Sequence, residues 1–225
     1  MKDGEIMDNL IEVVVKEEPP EMEYNYGYKS SSEKTKFINR MKRYIRTSME
    51  YRDYIAFLRD NIGMDACAFF NNISKSNGKR VRIEVHHEPL RLHDLVAIVI
   101  EKYEQEGIPL NDMMISEEVM KLHYRNQVGL IPLSKTLHQV VHKSDKLVIP
   151  AYMIYGDYNQ FVKEYGDYMD EFQIGKIEKM IEVTKDLKKE DFKCLDQKYE
   201  YIQVDGFTLP AKLEETVKKS NKEAA

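Results

Sequence analysis

The sequence predicts an α+β fold, a small set of strands placed among helices, and three observations lead there. Apolar residues recur at helical spacing over much of the chain, one short run alternates apolar and polar residues with period two, and a short apolar stretch at 128–133 runs straight into another helical pattern. At 225 residues, with 42% hydrophobic and 32% charged residues, one main core with attached arms is the simplest organisation. The divisions expected are an arm over 1–35, a central domain over 36–150 and a helical extension over 151–225.

The arm contains Glu17-Glu18-Pro19-Pro20-Glu21, then Tyr-rich and Ser-rich stretches with Gly27 and Ser30-Ser31-Ser32. Such composition buries little and breaks periodicity, so a flexible acidic segment is expected, with a short ordered piece near Ile6 to Val15. From Lys36 to Asp60, the residues Phe37, Met41, Tyr44, Ile45, Met49, Tyr51, Ile55 and Leu58 follow a helical rhythm, as one long helix or two short ones. This is also the most basic stretch. Arg40, Lys42, Arg43 and Arg46 among its tyrosines read either as a phosphate-tracking face or as the solvated side of an amphipathic helix.

Ala66–Ile73 and Lys79–His86 are strand-like and flank Lys75-Ser76-Asn77-Gly78, whose Asn-Gly pair is a tight-turn signal. A hairpin ending at His86-His87 is the expectation, with Val81, Ile83 and Val85 on a buried face and His86 on the polar one. Leu90 to about Gln105 is helical, closed by Gly107-Ile108-Pro109. Ser116 then reads as the N-cap of a second helix ending near Arg125, with Glu117 and Glu118 in its first turn and Ile115 stapled to Met120. Val128–Leu133 is a strand, Ser134 an N-cap and Lys135–Lys143 a short helix. Past Pro150, Phe161, Tyr165, Tyr168 and Met169, and later Ile174, Ile177, Met180 and Ile181, mark further helices; Leu213–Ala225 reads as a frayed tail.

Several function classes are disfavoured. No apolar run approaches the ~20 residues of a membrane helix, and the start lacks the pattern of a secretory signal. Cys67 and Cys194 are far apart and form no Cys-x-x-Cys pair, which suggests neither a disulfide framework nor a thiolate zinc site and fits a reducing cytoplasm. The formal net charge of −5 means that any contact with nucleic acid is local.

All six histidines lie between His86 and His142. Imidazole is the side chain best suited to proton transfer and metal ligation near neutral pH. His86-His87 sits at a strand end, where adjacent side chains diverge, so one is free to bind metal while the other faces water. His138 and His142 are an i, i+4 pair, the helical spacing that lets two imidazoles meet one ion. His93, beside Asp94 near a helix start, and His123, near a helix end, read as groove-lining residues at most.

Ile83-Glu84-Val85-His86-His87 resembles the first strand of HNH (ββα-metal) nucleases. Leu130-Ile131-Pro132-Leu133, continuing to His138 and His142, resembles their second strand and helix, in the manner of HNH proteins of tailed phages and of bacteriocin DNases. The resemblance spans about 62 residues, Val81 to His142. It implies a ββα-metal core; with the helical patterns read above, the expected fold is that core with an inserted helical pair and flanking helices. It also implies a phage endonuclease that hydrolyses phosphodiester bonds in nucleic acid, DNA before RNA, in the host cytoplasm. His86, His138 and His142 would hold one divalent metal ion (Mg, Mn, Ni or Zn) and His87 would act as general base.

Three departures accompany the resemblance. Gly129 stands where the family places an Asn that braces the base-bearing loop, and Asn126, three residues earlier, is the candidate substitute. The spacer holds two helices, and no Cys-x-x-Cys pairs staple the unit. Lys135, at the start of the His-bearing helix, is a candidate phosphate contact, and Glu88 and Arg91 are candidates to assist the site. The competing class is a non-catalytic protein that uses its acidic N-terminal arm or C-terminal helices to bind a host or viral protein. A purely structural zinc module is the weaker third option, since such sites favour four ligands that include cysteines.

Overall fold

Ser30 caps the first helix: its Oγ accepts the Glu33 N–H at 3.3 Å, with the Glu33 carboxylate lying in the positive first turn. The computed structural model describes residues 30–70, 72–78, 81–143 and 147–185. Among the described residues the architecture is α+β, with seven α-helices and one two-stranded sheet. Residues 1–29 of the arm expected over 1–35, its ordered piece at Ile6 to Val15 and the frayed tail at Leu213–Ala225 lie outside them, whereas 31–35 belong to the first helix.

Helix α1 (Ser31–Thr47) therefore begins five residues before Lys36, because the serines read as a breaker serve as a cap. Ser48 separates it from α2 (Met49–Asp60). The Ser48 backbone is extended, and its hydroxyl accepts from Tyr51 N at 3.1 Å to start the second helix. Phe37, Ile38, Met41 and Ile45 from α1, and Tyr51, Tyr54 and Leu58 from α2, form the buried faces.

The expected hairpin over 66–86 does not form. Ala66 and Ser74 meet only in an isolated bridge, Lys75–Asn77 is a 3₁₀ turn, and the strand β1 is Ile83–His87. Once Lys75–Asn77 curls locally, the strand-like runs on either side no longer face each other. The partner of β1 is instead β2 (Leu130–Ser134), antiparallel, in a register that sets His86 opposite Ile131 and His87 opposite Leu130.

Between the strands lie α3 (Leu92–Gln105) and α4 (Asp112–Tyr124). In α3, Leu92, Leu95, Val96, Ile98, Val99 and Ile100 are all 2% exposed or less. Burial on so many sides makes α3 the central helix, each such side chain contributing about 1.5–3 kcal/mol relative to exposure. Gly107, at φ +67°, supplies the left-handed residue just past its end. Helix α4 starts earlier than Ser116 suggested. Asn111 is the cap, accepting from Met113 N at 2.7 Å, while the Ser116 hydroxyl sits inside the helix and donates to Asp112 O.

Helix α5 (Lys135–Lys143) follows β2 directly, with Ser134 Oγ accepting from Leu137 N at 3.4 Å. Tyr155 closes the other edge of β2 through reciprocal backbone hydrogen bonds with Leu130 at 2.8 Å. Then come α6 (Tyr158–Tyr165) and α7 (Glu171–Thr184), the latter opened by a capping box between Asp170 and Gln173. No helix among the described residues is long and apolar enough to cross a membrane.

The sheet divides two apolar clusters. Leu130 and Val85 pack into the larger one with α1, α2, α3, α4 and α6. Ile131 and Leu133 pack into a smaller one with Val141, Ile149, Met153, Tyr158 and Met180. Opposite faces of one pleated pair thus serve different cores.

Gly129 immediately precedes β2, its carbonyl accepting from Glu88 N at 3.0 Å. A Cβ there would lie 1.8 Å from Glu88 O and 2.8 Å from Ile154 Cγ2. Gly129→Ala is therefore expected to lower stability by at least about 3 kcal/mol, the upper range for overpacking. Urea denaturation checks this, and an unchanged midpoint would contradict the close approach.

Candidate metal centre

Alternation along β1 sends Glu84 and His86 to the face covered by α5, and Val85 and His87 to the opposite face. His86 is on the polar side as expected from its neighbours, yet it is only 2% exposed, because α5 lies over it. One turn apart on that helix, His138 and His142 meet it. The three rings pack edge to face, His138 and His142 with centroids 4.5 Å apart and each 5.0 Å from His86.

One ligand nitrogen from each ring lies within 4.8 Å of the other two. Nitrogens sharing a tetrahedral ion at ~2.1 Å bonds stand about 3.4 Å apart, and His138 Nε2 and His142 Nε2 are already at 3.1 Å. His142 is exposed, so its ring has room to turn onto an ion.

The protonation pattern suits ligation. Glu84 Oε2 is 2.5 Å from His138 Nδ1. A carboxylate only accepts, so Nδ1 carries the hydrogen and Nε2 is left as the lone-pair donor, the arrangement by which outer carboxylates orient metal-binding imidazoles. Burial, and then the charge of His86, lowers the pKa of His138 against the opposing pull of Glu84. Desolvation among its neighbours, then His86, His138, Arg91 and Arg46, lowers that of His142 to about 4. Both rings are neutral at physiological pH and ready to bind a cation. Glu88 Oε2 lies 3.1 Å from His86 Nε2. Three convergent imidazoles, two of them in contact with carboxylates, fit a borderline divalent ion such as Zn²⁺ or Ni²⁺.

The triad lines a cavity of about 310 Å³ together with Arg46, Tyr51, Glu84, His87 and Arg91. The other cations named as phosphate contacts are absent from this lining. Arg40 pairs with Asp112 at 3.0 Å, Lys42 donates to Asn39 Oδ1, and Arg43 and Lys135 are exposed without lining the cavity. Of the four cations named in the basic stretch Arg46 alone lines the cavity, and Arg91, named from sequence as a candidate to assist the site, lines it too.

His87 departs from the expectation of a ring facing water. It is 3% exposed, stacks on Tyr51 at 6.4 Å, and places Nε2 2.9 Å from Nε2 of the fully buried His123. Burial, reinforced by the charges of His123 and Arg46, holds its pKa well below the ordinary imidazole value. His123 is thus more than a groove-lining residue. The signal that marks it is its i, i+4, i+8 alignment with Ile115 and Val119 on the buried face of α4. His93 lines a separate cavity beside Lys34 and Glu101.

Asn126 is not brought to the triad. It adopts φ +54°, accepts from Tyr155 Oη on Oδ1 at 3.3 Å, and offers its carbonyl to Asp157 N. It braces the entry to α6. Gly129 has no room for the Asn of the resembling pattern, since Glu88 O occupies the place of a Cβ.

A family model described as Bacteriophage G278-like virion protein matches residues 4–207. No curated protein and no solved structure matches. The match bears out a phage protein; its description speaks of a virion protein, so the nuclease half of the expectation rests on the site alone.

Titration calorimetry with Zn²⁺, Ni²⁺ and Co²⁺ is expected to give one site per chain, with His138→Ala and His142→Ala each lowering affinity more than about 100-fold, beyond the range for outer partners. Equal affinity in wild type and variants would remove the triad from consideration.

Acid sensitivity follows from the buried pair. His123 titrates at about 4 in the fold, because burial outweighs its bond to Val119, against 6.5 when unperturbed. The unfolded chain takes up the proton first, so stability is full above about pH 6.5 and falls as pH drops toward 4, by roughly 3 kcal/mol for a complete shift of that size. Urea midpoints should fall from pH 7.5 to pH 5, and less steeply in His123→Leu. A flat profile would mean that the two rings are not buried neutral.

Proposed function

Since this chain belongs to the bacteriophage G278-like virion protein family, we propose that it is a virion-associated protein whose histidine triad is a one-metal phosphodiesterase site of the HNH kind, acting on nucleic acid and on DNA before RNA. The observation that carries this reading is the convergence of His86 from β1 with His138 and His142 from α5 on one face of a strand–strand–helix unit. The order of strand, strand and helix, with the helical pair inserted between the strands, supports the likeness.

His86, His138 and His142 would hold the ion. A bound divalent ion supplies Lewis-acid stabilisation of the scissile phosphate and the leaving oxygen. Glu84 keeps His138 Nε2 free to ligate. Arg46 and Arg91, on the rim of the same cavity, would bind the non-bridging phosphate oxygens as fixed cations. His87 would take the proton that water loses as its oxygen bonds to phosphorus and the bond to the leaving oxygen breaks. A net charge of −5 leaves these two guanidinium groups as the local attraction for the phosphate backbone.

A second reading is favoured by the virion description and by Gly129, which denies the family's bracing Asn. In it the unit binds nucleic acid, or a host or viral protein through the acidic N-terminal arm or the C-terminal helices, without cutting.

Supercoiled plasmid incubated with Mg²⁺, Mn²⁺, Ni²⁺ or Zn²⁺ decides between them. Nicking by wild type, reduced about 100-fold or more in His87→Ala and lost in His138→Ala, is the expected result. No nicking with any ion, or equal nicking by all three proteins, would leave the binding-only reading in its place.

A further inference from the structure

His123 Nδ1 lies 2.7 Å from the Val119 carbonyl one turn back in α4. A carbonyl only accepts, so Nδ1 carries a hydrogen. A fully buried imidazole with no carboxylate among its hydrogen-bond partners stays neutral. The second nitrogen of His123, Nε2, is therefore a bare acceptor. It faces His87 Nε2 at 2.9 Å, so the hydrogen between the rings belongs to His87. That leaves His87 Nδ1 as the nitrogen with a free lone pair, and among the described residues nothing hydrogen-bonds to it.

The two rings are also clamped. Tyr51 stacks on His87, and Tyr51 and Tyr54 each meet His123 edge to face at 5.7 and 5.4 Å. The direction of the chain is thus set by one backbone carbonyl, and its far end is the ring that lines the cavity beside His86.

We infer that His123 is a positioning residue that holds His87 as its Nε2–H tautomer, through a Val119 carbonyl–His123–His87 chain, so that Nδ1 is the proton-accepting atom of the phosphodiesterase site. The catalytic use of that atom rests on the function proposed above; the tautomer does not. When Nδ1 gains the proton lost by water, the hydrogen bond to His123 needs no rearrangement. With the opposite tautomer the hydrogen would sit on Nδ1, and two bare Nε2 atoms would face each other across the 2.9 Å contact with His123.

The test uses full-length protein labelled with ¹⁵N-histidine and long-range ¹H–¹⁵N correlation spectra at neutral pH, without metal. Wild type is expected to show His87 protonated at Nε2 and His123 at Nδ1. In His123→Gln, whose amide oxygen can still accept, His87 should keep the Nε2–H form. In His123→Leu it should lose that preference and show a mixture, while triad affinity for Zn²⁺ stays within about threefold of wild type. Plasmid nicking should follow the same order, retained in the Gln variant and reduced about tenfold or more in the Leu variant. A hydrogen on His87 Nδ1 in wild type overturns the inference, even if the Leu variant does not fold; so does an unchanged His87 spectrum in a folded Leu variant. If no protein nicks DNA but the wild-type tautomers are as described, the positioning role of His123 stands and the nuclease reading falls.

Discussion

The antiparallel pairing of Ile83–His87 with Leu130–Ser134 is the constraint on which the rest of the structure depends. Successive strand residues face opposite sides, so His86 and His87, adjacent in the chain, enter different environments. One meets a helix carrying two more imidazoles; the other enters the larger core and meets His123. A slip of one residue would exchange them, and the hydrophobic partners opposite, Ile131 and Leu130, forbid that slip because each is committed to its own cluster.

The parts legible in the sequence are those where local chemistry decides. Lys135–Lys143 is the helix expected, because Ser134 caps it and its apolar spacing is helical. The i, i+4 spacing of His138 and His142 and the strand position of His86 were enough to name the triad, which the pairing of β1 with β2 then brings together. The helices past Pro150 also follow their periodicity, through Phe161 and Tyr165 in α6 and Ile174, Ile177 and Met180 in α7.

What was not legible depends on long-range contacts. Asn77-Gly78 carries a hairpin signal, but β1 takes its partner from 43 residues further along, and local turn chemistry says nothing of that competition. Asn111 and Ser116 are both fair caps. Ser116 lost because α4 extends one further turn, which buries Ile115 fully. The tie between His87 and His123 required knowing that α4 crosses behind β1. The basic stretch divides for the same reason: α1 carries Arg46 toward the triad and Arg40 toward Asp112, although both belong to one run of cations.

The helical pair α3–α4, inserted between the two strands, supplies much of the larger core. Here the two strands that pair are separated in the chain by α3 and α4, and those helices pack into the same larger core that Leu130 and Val85 enter. Zinc fingers recruit their ion to drive assembly; in this chain the triad is set among apolar clusters large enough to hold the strands and α5 together. Transplanting residues 81–143 into another scaffold would therefore carry over the ligands without the α1, α2 and α6 packing that keeps them facing one another.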